Sequence, residues 1–247
     1  MLYLKMSSDE PFFDKANIQE IYQAHRKRLD NPNDTLENPV FLELAGALQH
    51  LDIIDLGCGD ALFGQEALAK GAGSYLGIEL SKEMVELAKA NLLGTTGKVR
   101  HERIEDWRAE PEQANLACSR LSLNYIEDLS PVFREVYKAL RAGGRFVVSI
   151  EHPVISSNYA HVETGLRTSW VVDDYFKSGA RVHTWHGEEV TKYHHTLEGW
   201  LWLFKDAGFQ ILDIRESHPQ KENFQDIDEY ERRLRIPLFL FVSAQKV

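Results

Sequence analysis

The stretch Ile53-Ile54-Asp55-Leu56-Gly57-Cys58-Gly59-Asp60 decides how this chain is read. An apolar run ends in an aspartate, a Gly-x-Gly turn follows, and a helical pattern begins at once over residues 61–70. Two glycines so placed permit a tight turn and let backbone come close to a ligand. That ligand lies at the carboxyl end of a buried strand, where open α/β sheets take small molecules. A dinucleotide-binding turn also needs a glycine at position 62. This chain has Leu62, and Gly64 comes two residues later. The bulky leucine counts against a pyrophosphate. Asp55 adds negative charge, which suits a cationic ligand better.

Outward from the turn, short apolar runs alternate with helical patterns. Strands are expected over residues 51–56, 74–78, 98–103, 115–119 and 145–150. Helices are expected over 61–70, 81–93 with Ser81 as cap, and from Pro131 to a stop at Gly143-Gly144. Repeated β-α-β with short connections means a mostly parallel sheet with helices on both faces. Residues 1–50 read as a helical cap, with one helix over 17–29, a break at Asn31-Pro32-Asn33-Asp34, and a second helix after Pro39. Residues 151–195 break the rhythm and read as a lid-like insertion into a domain spanning 51–247. A helix over 196–207 and strands over 209–214 and 238–242 complete the pattern, around a charged surface excursion at 216–235.

Composition narrows the function. Among 247 residues, 38 acidic side chains against 28 basic ones give a net charge of -10. A nucleic-acid binder needs a basic face to neutralise phosphates, so a small-molecule partner fits better. No run of about 18 apolar residues suggests a membrane span, and the start lacks the pattern of a signal peptide. Two cysteines, Cys58 and Cys118, make neither a disulfide framework nor a zinc pattern. A cytoplasmic chain, monomer or dimer, is expected.

Twenty residues after Gly59 the second strand ends in Glu79-Leu80. A carboxylate there can accept hydrogen bonds from both hydroxyls of an unphosphorylated ribose. After the third strand, Glu105-Asp106 offer an acidic side chain and a backbone amide to the edge of a base. The set Asp55-Leu56-Gly57-Cys58-Gly59, Glu79 and Glu105-Asp106 resembles the motifs of class I S-adenosylmethionine (SAM)-dependent methyltransferases. The segments Ser119-Arg120-Leu121-Ser122-Leu123-Asn124-Tyr125-Ile126-Glu127-Asp128 and Leu140-Arg141-Ala142-Gly143-Gly144-Arg145-Phe146 are similar to that family's stretches around the fourth and fifth strands. One departure is Asn115, where the family usually has aspartate. Further on, Ser149-Ile150-Glu151-His152-Pro153, Lys192-Tyr193-His194-His195-Thr196-Leu197 and Arg235-Ile236-Pro237 resemble a bacterial subgroup of small-molecule enzymes, methyltransferase type 11/12-like.

The resemblance implies a Rossmann-like fold with a seven-stranded sheet. It implies SAM as cofactor, bound by Asp55, Gly57, Cys58, Gly59, Glu79, Leu80, Glu105, Asp106 and Ser119. It also implies in-line methyl transfer to a nitrogen or oxygen nucleophile of a small acceptor, with aromatic and heterocyclic acceptors included. A general base helps where the acceptor must lose a proton, and His152, Glu151 and His194 are the candidates. Tyr22, Tyr125, Trp185 and His195 are candidate acceptor contacts. No metal is expected. A non-catalytic SAM-binding protein and a nicotinamide-dependent oxidoreductase are the competing readings, the second disfavoured by Leu62. A base-methylating enzyme is set aside, because Ser119-Arg120-Leu121-Ser122 stands where such enzymes carry an Asn/Asp-Pro-Pro-aromatic motif.

Overall fold

The computed structural model describes residues 14, 28–159, 169–185 and 188–247. Five parallel strands follow in turn: β1 (Asp52–Leu56), β2 (Ser74–Glu79), β3 (Lys98–His101), β4 (Ala114–Arg120) and β5 (Leu140–Glu151). A hairpin of β6 (Gly179–Trp185) and β7 (Glu188–His194) forms its own two-stranded sheet. Two last strands, β8 (Phe209–Glu216) and β9 (Phe239–Lys246), return to the main sheet, where β9 runs antiparallel to both β5 and β8. The seven-stranded order is β3-β2-β1-β4-β5-β9-β8. It reverses direction at β1, so the carboxyl ends of β1 and β4 open a crevice on one edge.

Helices α1 (Asn38–Ala45), α2 (Leu62–Ala69) and α3 (Lys82–Asn91) cover one face. Their side is filled by Phe41, Phe63, Tyr75, Leu116 and Phe241. The other face is covered by α4 (Ser130–Ala139) and α6 (Leu197–Asp206), which bury Phe133, Phe146, Trp200 and Phe204. Phe133 meets Phe204 edge-on at 4.8 Å, a geometry that adds to area burial. A one-turn helix α5 (Pro153–Ser156) follows β5, and α7 (Ile227–Arg233) lies between β8 and β9.

The expected elements differ from the observed ones in four places. First, α4 stops at Ala139, and the chain passes directly into strand at Leu140, with Gly143 and Gly144 inside β5. A register shift between Ala114 and Leu116 in the neighbouring strand accommodates this early start. Second, the helix expected after Pro39 begins earlier, as a wide π turn over Asn33–Glu37. Third, part of the expected insertion is regular structure: the β6–β7 hairpin packs on α5 and on a 3-10 turn at Leu123–Tyr125. Fourth, the charged excursion contains α7, knit by Glu229 to Arg232 and Arg233. The helix expected over 17–29 lies almost wholly outside the described residues.

Asn115 holds the far end of the sheet. Its Oδ1 accepts from the Asp52 amide at 3.0 Å and from Arg141 at 2.8 Å. Arg141 also pairs with Asp52 at 2.9 Å, so an amide here avoids a second carboxylate beside the first.

Candidate active site

β1 delivers Asp55 and the glycine turn to the crevice. Gly57, Gly59 and Ala61 all have positive φ, at 74°, 56° and 57°. The turn is tied to β2 by the amides of Gly57 and Cys58, which both donate to the Ile78 carbonyl. The two glycines do different work. A Cβ on Gly57 would sit 2.4 Å from Ser122, so this glycine admits a neighbouring segment of the protein. A Cβ on Gly59 would meet nothing within 4 Å, so the space over Gly59 is open. Ser119 and Ser122 both donate to the Leu56 carbonyl, at 2.8 and 2.7 Å. Ser119 is fully buried, so the structure places its hydroxyl behind the turn, in support of it. Cys58 packs its sulfur under Gly77, and burial pushes its thiol well up. It stays a neutral wall.

Glu79 stands at the end of β2. One oxygen accepts from the Gly59 amide at 2.9 Å, the other from the Ser81 amide at 2.8 Å. A carboxylate offers about four acceptor positions, so the amides leave room for a hydroxyl donor. Burial pushes its carboxyl up, against the pull of those amides. Next to it, Asp14 accepts from the Ser81 hydroxyl at 2.5 Å. The Leu80 carbonyl accepts from His101 at 2.8 Å.

Beyond β3, the amides of Asp106 and Trp107 fold back to the Arg103 carbonyl. Glu105 pairs with Arg103 at 2.7 Å, and Asp106 is largely exposed. The side chain that approaches the glycine turn is Ile104, 3.6 Å from the built Cβ of Gly57. Sequence reading missed it, although an apolar residue between charged ones was the available signal.

Asp55 itself is buried. Its Oδ2 accepts from the Tyr75 hydroxyl at 2.8 Å, and its Oδ1 has no partner. Burial pushes its carboxyl up to about 6, with Tyr75 and the positive charge of Arg120 opposing. Tyr75 packs against α2, where a Cβ on Gly64 would fall 2.4 Å from the ring. Neither Tyr75 nor Arg120 was singled out from the sequence.

The ends of β4 and β5 carry a second cluster. Glu151 takes the Lys192 ammonium on one oxygen and the Tyr159 hydroxyl on the other. The Lys192 nitrogen lies 5.2 Å from the Tyr125 ring and 5.8 Å from the Tyr159 ring. Tyr159 stacks on His183 at 4.4 Å. The Asn124 carbonyl oxygen accepts from the Glu151 amide at 3.0 Å, while its buried amide nitrogen has no partner. Burial alone would raise the Glu151 carboxyl, but Lys192 and Tyr159 outweigh it and hold it below the usual range.

The histidines take supporting places. His152 caps α5: its Nδ1 accepts from the Val154 amide, so Nε2 carries the proton and donates to Glu216 at 3.0 Å. His194 lies between the Tyr175 carbonyl and the Ser156 hydroxyl, both at 2.8 Å. Burial lowers both, and both ring nitrogens of each are engaged. His195 packs edge-on against Trp200 at 5.0 Å, with its Nε2 buried and unpartnered. Tyr22 and the Trp185 side chain lie outside the described residues.

Sequence and structure comparisons agree with this geometry. A methyltransferase-domain family model matches residues 53–144. A solved SAM-dependent methyltransferase from Mesorhizobium loti is 32% identical, with a TM-score of 0.78 over 84% of this chain and 96% of that one. A Listeria monocytogenes structure given the same class matches equally, at 32% and 0.78 over 85% and 96%. An uncharacterized protein of Haemophilus influenzae is 27% identical over 98% of this chain and 99% of its own. The chain therefore belongs to the class I SAM-dependent methyltransferases, and it is an enzyme with SAM as cofactor. That membership removes the nicotinamide reading. The residues fit SAM: an unpartnered buried acid oxygen on Asp55, open space over Gly59, and spare acceptor positions on Glu79. No described helix is long and apolar enough to cross a membrane, and the described residues hold no cluster suited to a metal.

Proposed function

We propose that the enzyme methylates a small, ring-containing acceptor at a nitrogen or oxygen atom, between the glycine turn and the β6–β7 hairpin. The observation that carries this reading is the meeting of Tyr125, Glu151, Tyr159 and Lys192 at the ends of β4 and β5. Those strands run parallel to β1 and β2, so this cluster shares an edge with Glu79 and Gly59. SAM supplies an electrophilic methyl group when bound. Asp55 and Glu79 hold the cofactor's cationic and ribose ends. The aromatic rings and the hairpin exclude water and orient the acceptor.

The chain's own proton acceptors support alignment rather than deprotonation. His152 and His194 have both nitrogens engaged, and Glu151 is held as a weak base by Lys192. They are assigned as supports of the acceptor wall. The acidic balance disfavours nucleic acid as substrate. The test is transfer of labelled methyl from SAM into a metabolite library, a protein extract and nucleic acid. Label in a low-mass aromatic or heterocyclic product supports the reading. Label confined to macromolecules overturns it.

A further inference from the structure

The face of the sheet under the glycine turn carries a row of polar groups that the methyl transfer itself does not use. Asp55 on β1 faces Cys118 on β4 in register, and Arg120 lies two residues beyond Cys118 on the same face. Arg120 is clamped. Its Nε donates to one Glu37 oxygen at 3.0 Å, one terminal nitrogen pairs with the other oxygen, and the same nitrogen donates to Asn38 at 3.0 Å. Its guanidinium lies 4.5 Å over the Phe41 ring. Ser149 on β5 donates to the same Glu37 at 2.7 Å. The π turn over Asn33–Glu37 brings Glu37 and the next residue, Asn38, to one guanidinium. Such wide turns recur at functional sites.

A buried ion pair adds little stability against an apolar alternative, so its placement calls for a reason. The groups that act on Asp55 are Tyr75 and Glu79 on β2, Cys58 in the turn, and Cys118 and Arg120 on β4. Burial keeps Tyr75, Cys58 and Cys118 neutral. Glu79 is an acid. Arg120 is the single cation in the set.

We infer that Arg120 is a positioning residue for the cofactor: clamped by Glu37 and Asn38, it supplies the positive charge that keeps Asp55 ionised beneath the glycine turn, and so sets the acid limit of cofactor binding. The inference rests on the assignment of Asp55 to the cofactor's cationic end.

The test is the pH dependence of S-adenosylhomocysteine affinity, measured by calorimetry between pH 5 and 8, with a melting curve for each variant. Affinity of the native chain falls about tenfold per pH unit below the Asp55 midpoint. Arg120→Met alone leaves Glu37 buried without its partner and endangers folding. The double variant Glu37→Gln/Arg120→Met therefore carries the test, and its midpoint rises by roughly one unit. Glu37→Gln leaves the guanidinium to act on Asp55 without its counter-ion and moves the midpoint down. Arg120→Lys restores much of the native position. Opposite movements are not what general loosening of the fold produces. A midpoint unmoved in the double variant overturns the inference while leaving Asp55 at the cofactor. An Asp55→Asn variant that binds like the native chain at pH 7.5 and keeps the acid step overturns the assignment of Asp55 itself.

Discussion

At the residue scale, Asp55, the residue proposed to hold the cofactor's cationic end, works against stability. Its carboxyl is pushed up from 3.8 to about 6 in the folded chain, mainly by burial. The folded state therefore holds that proton more tightly than the unfolded one. The stabilisation is complete below about pH 3.8 and is lost as the pH rises through about 6. At neutral pH the buried charge is a net burden. Asp55→Asn keeps an acceptor for the Tyr75 hydroxyl and removes the charge. It should raise unfolding stability at pH 7.5 by about 1–3 kcal/mol, with the gain fading toward pH 4. Denaturant unfolding at the two pH values checks this, and a loss of stability at pH 7.5 would contradict it. The same variant should bind SAM more weakly, so stability and binding move in opposite directions.

The two glycines of the turn separate in the same way. Gly57→Ala brings a Cβ to 2.4 Å from Ser122 in a left-handed conformation. Strain and overpacking together should destabilise the cofactor-free chain by about 2–4 kcal/mol. Gly59→Ala bears the left-handed strain alone, about 1–2 kcal/mol. Its methyl group would enter the open space and block the cofactor. Melting curves with and without S-adenosylhomocysteine distinguish them. Equal destabilisation, or full ligand stabilisation of Gly59→Ala, would contradict the division of labour. From the sequence both glycines read as concessions to a ligand. The contact with Ser122, 65 residues along the chain, was not visible there.

At the scale of elements, the hairpin is fastened by side chains that come from separate segments. Lys192 on β7 reaches Glu151 at the end of β5, and His194 reaches Ser156 on α5. Lys192→Met leaves the Glu151 carboxylate buried without its cation and should destabilise the chain by about 3–5 kcal/mol. Adding Glu151→Gln removes the stranded charge, and the pair should return to within about 1 kcal/mol of the native stability. Additive losses in this cycle, measured by denaturant unfolding, would show that the two side chains do not form the pair.

Those elements also mark where sequence reading succeeds and fails. The strand ending in Leu56 was legible because five apolar or acidic residues run into a glycine turn and leave few conformations. Ser81 and Thr196 were legible as helix starts, and both accept the expected backbone amide, from Met84 and Gly199. The start of β5 at Leu140 was hidden because Gly143-Gly144 signals a helix stop as strongly as it permits a bulged strand. The hairpin was hidden because its covered face carries polar side chains, Arg181, His183, Lys192 and His194, while Val182 is exposed, so alternation of apolar and polar residues is weak. The histidines were legible as chemistry-bearing residues, but their tasks were not, since ring partners such as Glu216 and the Tyr175 carbonyl come from distant segments. The Glu37–Arg120 pair spans 83 residues, and no local pattern announces it.

For the whole molecule, the sheet order places two compartments along one edge. The ends of β1 and β2 hold Asp55, Gly59 and Glu79; the ends of β4 and β5 hold Tyr125 and Glu151, roofed by the hairpin. The central claim is that the first compartment binds the cofactor and the second selects the acceptor. Calorimetric titration of SAM into two variants tests it most directly. Hydrogen bonds to a charged acceptor contribute roughly 1.5–3 kcal/mol, so Glu79→Ala should weaken SAM binding about ten- to hundredfold. The hairpin variant Lys192→Met/Glu151→Gln should bind SAM within about twofold of the native chain, an energy difference below roughly 0.5 kcal/mol. Equal loss in both variants, or native affinity in a folded Glu79→Ala, would contradict the separation.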